Sequence, residues 1–456
     1  MDFDVIVIGS GQAGVPLAAR LAEAGKSVLL AERKLLGGTC VNTGCTPTKT
    51  MVASAQAAHV ARNAARLGVQ AGDVRVDLGA VVARKYKIVE QWRSGVARHI
   101  ERAGERLRLV EGHARFVGPR EVEIGDERHR AETVIINTGG RAVVPSIPGL
   151  DGVPILDNAR IMELRELPEH LVVLGGGYIA CEFGQMFRRF GSEVTIVHRG
   201  KHLFSREDAD VAESVQEAFR SERIRLHLSK RPETVSGDGK QIAVRLEDGT
   251  ELRGSHLLVA VGRRPNTDDL GCEAGGIRLD ERGAVQVDDH YKTSAEGVYA
   301  VGDVNGGPQF THTAWDDHRL LYDILMGRGD RGRRGRLVPY TVFIDPQLAR
   351  VGLSQEEADA QGIEYEMATM PFGHIARAIE VDETAGIMKV LLDPRTERIL
   401  GAALVGKEAG ELIHIFVGLM QANATARALV DVQTVHPTLA EGVQSLVMRL
   451  DRYKLS

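Results

Sequence analysis

The stretch FDVIVIGSGQAGVPLAARLAEAGKSVLLAE, residues 3–32, predicts the fold of the N-terminal part of the chain. It opens with a continuous apolar run, as in a strand buried on both faces of a parallel sheet. Gly9, Gly11 and Gly14 follow in a G-x-G-x-x-G loop, then a segment of helical periodicity and a second apolar run that ends in Glu32. Such glycines allow a tight turn and close approach of a pyrophosphate, which the helix N-terminus attracts, and the acid can hold a ribose hydroxyl. The pattern therefore predicts a dinucleotide-binding βαβ unit.

The same pattern occurs a second time, from Leu171 onward, in LVVLGGGYIACEFGQMFRRFGSEVTIVHR. Gly175 and Gly177 take the first two glycine positions, and Ala180 takes the third. We interpret the two copies as separate nucleotide-binding domains in one chain and not as a repeat array.

Charge at the end of the second strand distinguishes the two copies. The strand of the second copy ends at His198 and Arg199 instead of an acid, and Lys201 and Arg206 follow shortly after. Because cations suit a 2′-phosphate, the second site is predicted to prefer NADPH over NADH. The alternative is that these are solvated loop charges with little effect on selectivity.

Two of the four cysteines, Cys40 and Cys45, lie in GGTCVNTGCTPTK, residues 37–49. The residues after Cys45 have helical character, and Pro47 is tolerated because it falls in the first turn. At a helix N-terminus, unpaired N–H groups and the helix dipole favour a thiolate. A disulfide between the two requires Cα atoms within roughly 7 Å. We predict a reversible redox dithiol, with two inert buried cysteines as the alternative.

Changes in composition predict the remaining organisation of the chain. Residues 78–103 are predicted to form a long helix, followed by short β-rich segments and a proline-containing linker near residue 149. The basic segment 327–336 is predicted to be a solvated linker, with a polyanion site as the alternative. From Val338 onward, strands and two helices predict an α+β unit. The predicted domains are 1–148 with 267–337, 149–266, and 338–456.

Overall composition excludes several classes of protein. A chain of 456 residues with 43% hydrophobic and 26% charged residues is typical of a multidomain globular protein. A net charge of −5 gives no reason to expect nucleic acid or an anionic membrane as partner. Four cysteines are too few for a secreted disulfide scaffold, and Cys181 and Cys272 are interpreted as structural. No apolar run reaches the ~20 residues of a membrane span, so we expect a cytoplasmic, soluble protein.

Seven motifs occur in order along the chain: GSGQAG, GGTCVNTGC with PTK, NTGG, GGGYIACE, VGRRPN, YAVGDV and HPTLAE. In these motifs the chain resembles the class I flavoprotein disulfide reductases of the pyridine nucleotide–disulfide oxidoreductase family. That family includes dihydrolipoamide dehydrogenase, glutathione reductase and mercuric reductase. The resemblance spans essentially the whole chain. It implies an α/β fold with two Rossmann-like domains, for FAD and for NAD(P)H, and a C-terminal α+β dimerisation domain.

The resemblance also implies which residues bind the cofactors. The side chain of Tyr178 would cover the flavin until the nicotinamide displaces it. The residues implied for FAD are Gly9, Gly11, Gly14, Glu32, Lys49, Ala114, Thr138, Gly139 and Asp303. Those implied for NADPH, with NADH as a possible substitute, are Gly175, Gly177, Tyr178, His198, Arg199 and Gly262.

In the family, hydride passes from the nicotinamide to the flavin, and electrons then pass to a disulfide, here Cys40–Cys45. The resemblance makes Cys45 the flavin-proximal, charge-transfer thiolate and Cys40 the outward thiol that attacks the substrate. It also implies that Lys49 lies near the flavin and pairs with Glu182. Without the resemblance to the family, Lys49 and Glu182 would be interpreted as ordinary charged residues on helix surfaces.

A histidine near the C-terminus, His436 of HPTLAE, is the candidate acid–base residue. Thiol–disulfide exchange needs a thiolate nucleophile and a protonated leaving group, hence a group with a pKa near ambient pH. Glu441 would orient the imidazole and stabilise its cation. The resemblance implies that this histidine comes from the other subunit of a homodimer. A turn histidine without catalytic role is the alternative.

The substrate is less well indicated than the cofactors. The segments PYTVFIDPQLARVGLSQEEA and GELIHIFVGLMQAN are most similar to the mercuric reductase branch. Mercuric reductase carries two adjacent C-terminal cysteines and a tyrosine in place of His436, and this chain has neither feature. A soft metal ion needs thiolate ligands, so a disulfide or thiol-reactive substrate is predicted. A metal-ion reductase acting on Hg(II) or Cu(II) is the alternative, with no metal site expected in the protein itself.

Other activities remain as alternatives. Dihydrolipoamide dehydrogenase normally uses NAD, which the cationic strand end disfavours. Glutathione reductase needs cations for the glutathione carboxylates, which Arg62, Arg66 and Lys87 could supply. A flavin transhydrogenase has no use for His436 and Glu441. An FAD-bound dithiol sensor is the alternative of another class, and it would consume one equivalent of NADPH and stop.

Overall fold

The structure is a computed structural model of a single chain and describes residues 2–454. Most strands are short and belong to five sheets. The strands are β1 (Phe3–Ile8), β2 (Val28–Glu32), β3 (Leu107–Glu111), β4 (Ala114–Gly118), β5 (Glu121–Ile124), β6 (Glu127–Ile136), β7 (Gly140–Ala142), β8 (Ile155–Leu156), β9 (His170–Leu174), β10 (Glu193–His198), β11 (Arg225–Leu228), β12 (Pro232–Gly237), β13 (Ile242–Leu246), β14 (Glu251–Gly254), β15 (His256–Val259), β16 (Arg263–Pro265), β17 (Val298–Ala300), β18 (Tyr340–Val342), β19 (Gln347–Gly352), β20 (Glu366–Pro371), β21 (Ile387–Leu392) and β22 (Ile399–Gly406).

The α-helices connect and cover these sheets. They are α1 (Gly14–Glu23), α2 (Gly38–Asn42), α3 (Cys45–Asn63), α4 (Leu78–Arg102), α5 (Tyr178–Phe190), α6 (Ala209–Ser221), α7 (Thr311–Leu325), α8 (Gln355–Ala360), α9 (Ala376–Glu380), α10 (Ala409–Gln421), α11 (Arg427–Asp431) and α12 (Glu441–Val447).

The first sheet carries the first glycine loop. Its parallel part has the order β3-β2-β1-β6-β17, and the first half of β6 continues into the antiparallel strands β5 and β4. Alternate residues of β1 and β2 pack into separate hydrophobic clusters on the two faces of the sheet, which explains the unbroken apolar run in the sequence. The loop therefore lies at the carboxyl end of a central strand, where nucleotides bind in such sheets.

The second sheet repeats this arrangement with five parallel strands in the order β11-β10-β9-β15-β8. Helix α5 packs on it through Phe183, Phe187 and Phe190, which are buried with Ile196 of β10. A small antiparallel sheet, β12-β13-β14, covers the other face. Because α5 starts directly after β9, its N-terminus lies at the carboxyl end of the sheet, beside the second glycine loop.

The C-terminal unit is an antiparallel sheet, β18-β19-β22-β21-β20, with α10 and α12 on one face. It contacts the second parallel-sheet unit through buried ion pairs. Arg350 Nε lies 2.8 Å from Glu207, and Lys389 Nζ lies 3.4 Å from Asp208. Because each charge has a partner, the attraction between the partners offsets part of the desolvation cost of burying these groups.

The predicted fold class is confirmed, with two parallel-sheet units and a C-terminal α+β unit. The exact domain boundaries stay a prediction. The helix predicted over 78–103 is α4, and the C-terminal unit has more helices and strands than its sequence indicated. None of the helices within residues 2–454 combines the length and apolar character required to cross a bilayer.

The prediction of a solvated linker at 327–336 is wrong for its second half. The guanidinium of Arg336 is mostly buried and lies 2.7 Å from the buried carboxylate of Asp317. The backbone amides of Arg333 and Arg334 donate to Asp289 at 3.0 and 2.7 Å. The composition of the segment could not indicate these contacts, because their partners Asp317 and Asp289 lie outside it.

Candidate active site

The two cysteines of the predicted dithiol lie on consecutive helices. Cys40 is in the middle of α2, and Cys45 is the first residue of α3, so its thiol lies at the helix N-terminus. Both are free thiols in this structure. The turn between the helices requires Gly44, because a Cβ there would lie 2.8 Å from the carbonyl oxygen of Thr39.

Side chains from two other parts of the chain hold the loop between the cysteines. Asn42 Nδ2 donates to two carbonyl oxygens at the start of the loop, both at 2.9 Å. Its Oδ1 accepts from the guanidinium of Arg93 on α4 at 3.0 and 3.1 Å. From the segment after β8, Asn158 Nδ2 donates to the carbonyl oxygen of Thr43 at 2.7 Å. The loop is thus fixed from both sides.

The surroundings of the dithiol make its two sulfurs unequal. The pKa of Cys45 is lowered to about 6, first by a hydrogen bond from Cys40, then by the hydroxyl of Thr311 and the charge of Lys49. Thr311 Oγ1 lies 3.1 Å from Cys45 Sγ. The same hydrogen bond to Cys45, together with burial, raises the pKa of Cys40 far above its usual range. At neutral pH the reduced pair is therefore a Cys45 thiolate beside a Cys40 thiol.

Lys49 and Glu182 form a bidentate ion pair, with Lys49 Nζ 2.9 and 2.8 Å from the two carboxylate oxygens. Glu182 is only 3% exposed and also accepts from the backbone amide of Phe343 at 2.9 Å. The pairing predicted for these residues is therefore present in the geometry. It fixes Lys49, one helical turn after Cys45, near the thiolate.

The first glycine loop is built around the side chain of Asn137. Asn137 Oδ1 accepts from the amide of Gly14 at 2.9 Å. A Cβ on Gly9 would overlap the carbonyl of Asn137, one on Gly11 would lie 2.9 Å from Asn137 Oδ1, and one on Gly14 would overlap the carbonyl of Gly9. Gly9 and Gly14 are therefore required by close packing of backbone against backbone, and Gly11 by its contact with the side chain of Asn137.

Polar groups at this loop fit the diphosphate and ribose of FAD. The amides of Gln12 and Ala13, at the N-terminus of α1, have no acceptor among residues 2–454, and such amides bind phosphate oxygens. Glu32 Oε2 accepts from the amide and hydroxyl of Ser10 at 3.0 and 2.6 Å. Its carboxylate is thereby aimed at the loop and keeps lone pairs for a ribose hydroxyl.

The other residues predicted for FAD line the same side of the first sheet. Asp303 follows β17, its pKa is raised by burial, and Arg263 Nη2 lies 3.4 Å from its carboxylate. Thr138 Oγ1 donates to a backbone carbonyl just after β16 at 2.8 Å, and Gly139 adopts a φ of +66°. Ala114 is buried at the start of β4. Their contacts with a flavin stay a prediction.

The second glycine loop has a comparable geometry. Gly175 has a φ of +125°, and a Cβ there would overlap the carbonyl of Ala260, the residue that follows β15. Gly177 and Gly262 have open space where a side chain would stand. Tyr178, the first residue of α5, is 37% exposed, and burial raises its pKa to about 12. The residues present can accommodate a dinucleotide at this loop.

The side chains predicted to bind a 2′-phosphate differ in their exposure to solvent. The imidazole of His198 is packed between Gly176 and Gly200, where burial lowers its pKa. A neutral, enclosed ring is a poor cation for phosphate. Within residues 2–454 three exposed cations near the end of β10 have no ion pair, and these are Arg199, Lys201 and Arg206.

His436 and Glu441 are brought together as predicted. His436 Nδ1 lies 3.0 Å from Glu441 Oε2, and the side chain of His436 is 70% exposed while that of Glu441 is 17% exposed. Glu441 is the first residue of α12. In the single chain, residues 2–454 show no hydrogen bond between this pair and the dithiol.

Sequence reasoning missed several residues that the structure places in the site. Asn137, Arg263 and Thr311 lie within or beside quoted motifs but were given no role. Arg93 and Asn158 had no signal in the sequence, because each acts on the dithiol loop from a distant segment. The spacing of chemically active residues does not reveal such contacts.

Comparison with known proteins identifies the family to which the chain belongs. Residues 3–317 match the family model of pyridine nucleotide-disulphide oxidoreductases, and residues 338–447 match the dimerisation domain of the same proteins. The chain belongs to the pyridine nucleotide-disulphide oxidoreductase family. Its resemblance to that family is thereby confirmed.

Several members of the family resemble the chain over almost its full length. The probable pyridine nucleotide-disulfide oxidoreductase RclA of Escherichia coli is 36% identical over 97% of this chain and 98% of its own. A mercuric reductase of Staphylococcus aureus is 32% identical over 99% of this chain and 83% of its own. A solved Cu(II) complex of RclA, called an HOCl-induced flavoprotein disulfide reductase, superimposes with a TM-score of 0.90 at 36% identity, covering 98% and 99% of the two chains.

Membership of the pyridine nucleotide-disulphide oxidoreductase family establishes the class of reaction. The chain is an FAD-dependent NAD(P)H oxidoreductase that works through a redox disulfide, and it carries the dimerisation domain of homodimeric relatives. Family substrates are of the disulfide or metal type. Among residues 2–454 of one chain, no group of three or more His, Cys, Asp and Glu side chains is arranged to hold a metal ion.

Thr311→Val should raise the pKa of Cys45, because the hydroxyl that stabilises the thiolate is lost. In the reduced wild type the thiolate is lost as the pH falls through about 6, and in the variant this loss should occur at higher pH. The measurement is thiolate ultraviolet absorbance against pH. Thr311→Ser is the control and should titrate like wild type.

Cys181 and Cys272 should not interfere with this titration, because burial raises the pKa of both, that of Cys272 to about 11. An unshifted midpoint in Thr311→Val would show that the hydroxyl does not stabilise the thiolate.

Proposed function

We propose that the protein is an NADPH-preferring reductase of a disulfide or thiol-reactive substrate, with Cys40 as the residue that attacks the substrate. The observation that carries the proposal is the inequality of the two thiols. The hydrogen bond from Cys40, together with Thr311 and Lys49, stabilises a thiolate at Cys45, whereas Cys40 keeps its proton. Cys45 is the more exposed of the two thiols in the single chain, so the outward, substrate-attacking role of Cys40 is part of the proposal. FAD, when bound, supplies the transfer of two electrons from NADPH to the Cys40–Cys45 disulfide.

The raised pKa of Cys40 creates a requirement for a base. A thiol attacks a disulfide only after losing its proton, and the hydrogen bond to Cys45 holds that proton on Cys40. We assign the base to His436 of a second copy of the chain. Glu441, 3.0 Å from its Nδ1, holds the ring and stabilises the imidazolium that forms. The role of each residue here is part of the proposal.

Exchange then proceeds in two balanced steps. Cys40 attacks one substrate sulfur, a mixed disulfide forms, and the proton that His436 took from Cys40 passes to the leaving thiolate. The Cys45 thiolate next attacks the Cys40 sulfur, which releases the second substrate thiolate and restores the Cys40–Cys45 disulfide. The dithiol thereby gives up two electrons and the one proton of Cys40 for each disulfide reduced, and the second substrate thiolate takes its proton from solvent.

Reduction of Cu(II) is the second candidate, and the similarity to RclA, which has been solved as a Cu(II) complex, favours it. The paired sulfurs of Cys40 and Cys45 are soft ligands of the kind that bind copper. One dithiol would reduce two Cu(II) ions to Cu(I) and become a disulfide. A dithiol sensor without turnover is disfavoured by membership of an enzyme family. A cytoplasmic location is part of the proposal.

The acceptor should be identified by anaerobic NADPH oxidation with glutathione disulfide, lipoamide, Cu(II) and Hg(II). We expect sustained turnover of an organic disulfide by wild type and by the control Cys272→Ser, and none by Cys40→Ser. Reduction of bound FAD by NADPH should remain in all three. Turnover restricted to a metal ion would favour the second candidate, and turnover by Cys40→Ser would rule out the dithiol mechanism.

His436→Ala should lower disulfide turnover by ~10²–10⁴-fold, because a general acid–base group contributes that much. Stopped-flow reduction of FAD by NADPH should be unchanged, since His436 acts after that step. His99→Ala, at an exposed position on α4, is the control. An unaltered turnover rate would remove His436 from the mechanism.

Mixed dimers test whether the site is shared between subunits. Cys40→Ser chains should be inactive alone and His436→Ala chains strongly impaired. A mixture of the two should regain turnover after subunit exchange, because one of the two sites in a mixed dimer is then intact. No recovery in dimers shown to be mixed would place both residues in one chain's site.

Arg199→Ala should raise the KM for NADPH by about tenfold, because a charge-assisted hydrogen bond to the 2′-phosphate is lost. The KM for NADH should stay unchanged. Steady-state kinetics with both nucleotides provide the measurement, and Arg331→Ala, an exposed cation elsewhere, is the control. Equal losses with both nucleotides would mean that Arg199 does not recognise the phosphate.

A further inference from the structure

A cavity of about 640 Å³ lies where the C-terminal ends of α3, α5 and α6 meet the C-terminal unit. Its volume is in the range of small-molecule sites. Arg62 and Arg66, considered above as cations for glutathione, both line it. Since α3 rises ~1.5 Å per residue, Arg62 lies roughly 25 Å along the helix from Cys45. These arginines are therefore too far away to hold a substrate at the dithiol.

Cations outnumber acids in the lining of this cavity by six to four. Two of the cations are neutralised locally. Arg189 pairs with Glu222 at 2.6 Å and with Asp345 at 2.9 Å, and Arg66 pairs with Asp382 at 3.3 Å. Four cations have no carboxylate within 4.0 Å among residues 2–454, and these are Arg62, Arg188, Arg223 and Lys407.

Two of the unpaired guanidinium groups are held in place by backbone carbonyls. Arg188 donates from Nε to the carbonyl oxygen of Glu222 at 2.7 Å and from Nη1 to that of Ser192 at 3.0 Å. Arg62 donates to the carbonyl oxygen of Arg189. These contacts use only part of the five N–H donors of each group and leave its full charge. The cations are thus positioned before any ligand arrives.

The fourth acid of the lining opposes this charge only weakly. Glu383 has no ion pair among the described residues. Burial, and secondly the charge of Asp345, raise the pKa of Glu383, and the six cations of the lining outnumber its four acids even when Glu383 is charged. The cavity therefore offers an uncompensated positive charge within a protein whose net charge is −5.

We propose that this cavity is an anion-binding site for a small oligophosphate, separate from both nucleotide sites and from the dithiol. Guanidinium groups bind phosphate oxygens through paired N–H donors, and two of them face the cavity with fixed geometry. The lining contains no Phe, Tyr or Trp on which a nucleobase could stack, so a compact diphosphate or triphosphate fits better than a nucleotide. The second glycine loop lies at the opposite, N-terminal end of α5, and no residue of the first glycine loop or of α1 lines the cavity.

The site adjoins the machinery of the reaction through a second, smaller cavity. That cavity, of about 260 Å³, shares Arg189, Asp345 and Lys407 with the first and is also lined by Lys49 and Glu182. Helix α3 starts at Cys45, and α5 starts at Tyr178. An oligophosphate would bind across the far ends of the two helices that carry the dithiol and the tyrosine of the second glycine loop.

Isothermal titration of the FAD-loaded protein with inorganic pyrophosphate tests the proposal. Saturating NADP⁺ is present so that the nucleotide site is filled. We expect one pyrophosphate per chain, bound more tightly than orthophosphate or citrate. Arg223→Gln and Lys407→Gln should each weaken binding at least tenfold, because each removes a charged donor. Arg331→Gln, which removes an exposed cation elsewhere, should bind like wild type.

The variants are first checked for wild-type NADPH oxidation and thermal melting, which neither substitution should change because neither side chain has an ion pair. The absence of pyrophosphate binding would overturn the proposal, as would affinities unaltered in Arg223→Gln and Lys407→Gln. Citrate bound as tightly as pyrophosphate would overturn the assignment to oligophosphate. Loss of pyrophosphate binding in Arg199→Ala would assign the anion to the nucleotide site and would equally overturn it.

Discussion

The ion pair between Lys49 and Glu182 connects the three parts of the molecule. Lys49 belongs to the helix that starts at Cys45, Glu182 to the helix that starts at the second glycine loop, and the amide of Phe343, which donates to Glu182, to the C-terminal unit. Glu182 is buried whereas Lys49 is partly exposed, so removal of Lys49 would leave a buried carboxylate without its charged partner, which is destabilising. The relative position of dithiol, nucleotide loop and C-terminal unit therefore depends on this contact.

The inequality of the thiols follows from the same arrangement. The hydrogen bond that Cys40 donates lowers the pKa of Cys45 and raises that of Cys40, and Thr311 and Lys49 lower the pKa of Cys45 further. At Cys40 the effects of this hydrogen bond and of burial outweigh those of Thr311 and Lys49. In a symmetric dithiol the two sulfurs would have equal pKa values, so neither would be distinguished as the thiolate or as the protonated thiol. Here the lowered pKa of Cys45 favours its thiolate, and the raised pKa of Cys40 favours its thiol. In the proposed mechanism Cys40 therefore needs a base, the role that we assign to His436 with Glu441 as its partner.

Local patterns predicted much of this architecture, because glycine loops, apolar strands and helix starts depend on residues close in sequence. Gly9, Gly175 and Cys45 all lie where their motifs indicated. What the patterns could not predict depends on packing between distant segments. Arg93 and Asn158 bind the dithiol loop from elsewhere in the chain, and His198, read as a cation, is enclosed between two glycines. Residue type gives the charge that a side chain can carry, but its surroundings decide whether it carries it.

Asn137 donates to the carbonyl of Val301 across 164 residues of chain, next to the pairing of β17 with β6. The first sheet therefore lacks a strand until the second nucleotide-binding unit, which lies between these strands in the sequence, has been made. At ~5–20 residues per second, a ribosome needs on the order of ten seconds or more to synthesise the missing part. During that time the second half of β6 lacks the strand that later pairs with it, so this edge is open to mispairing. The domain that begins first in the sequence is thus the later of the two to be synthesised in full, because its last strand follows the unit inserted in it.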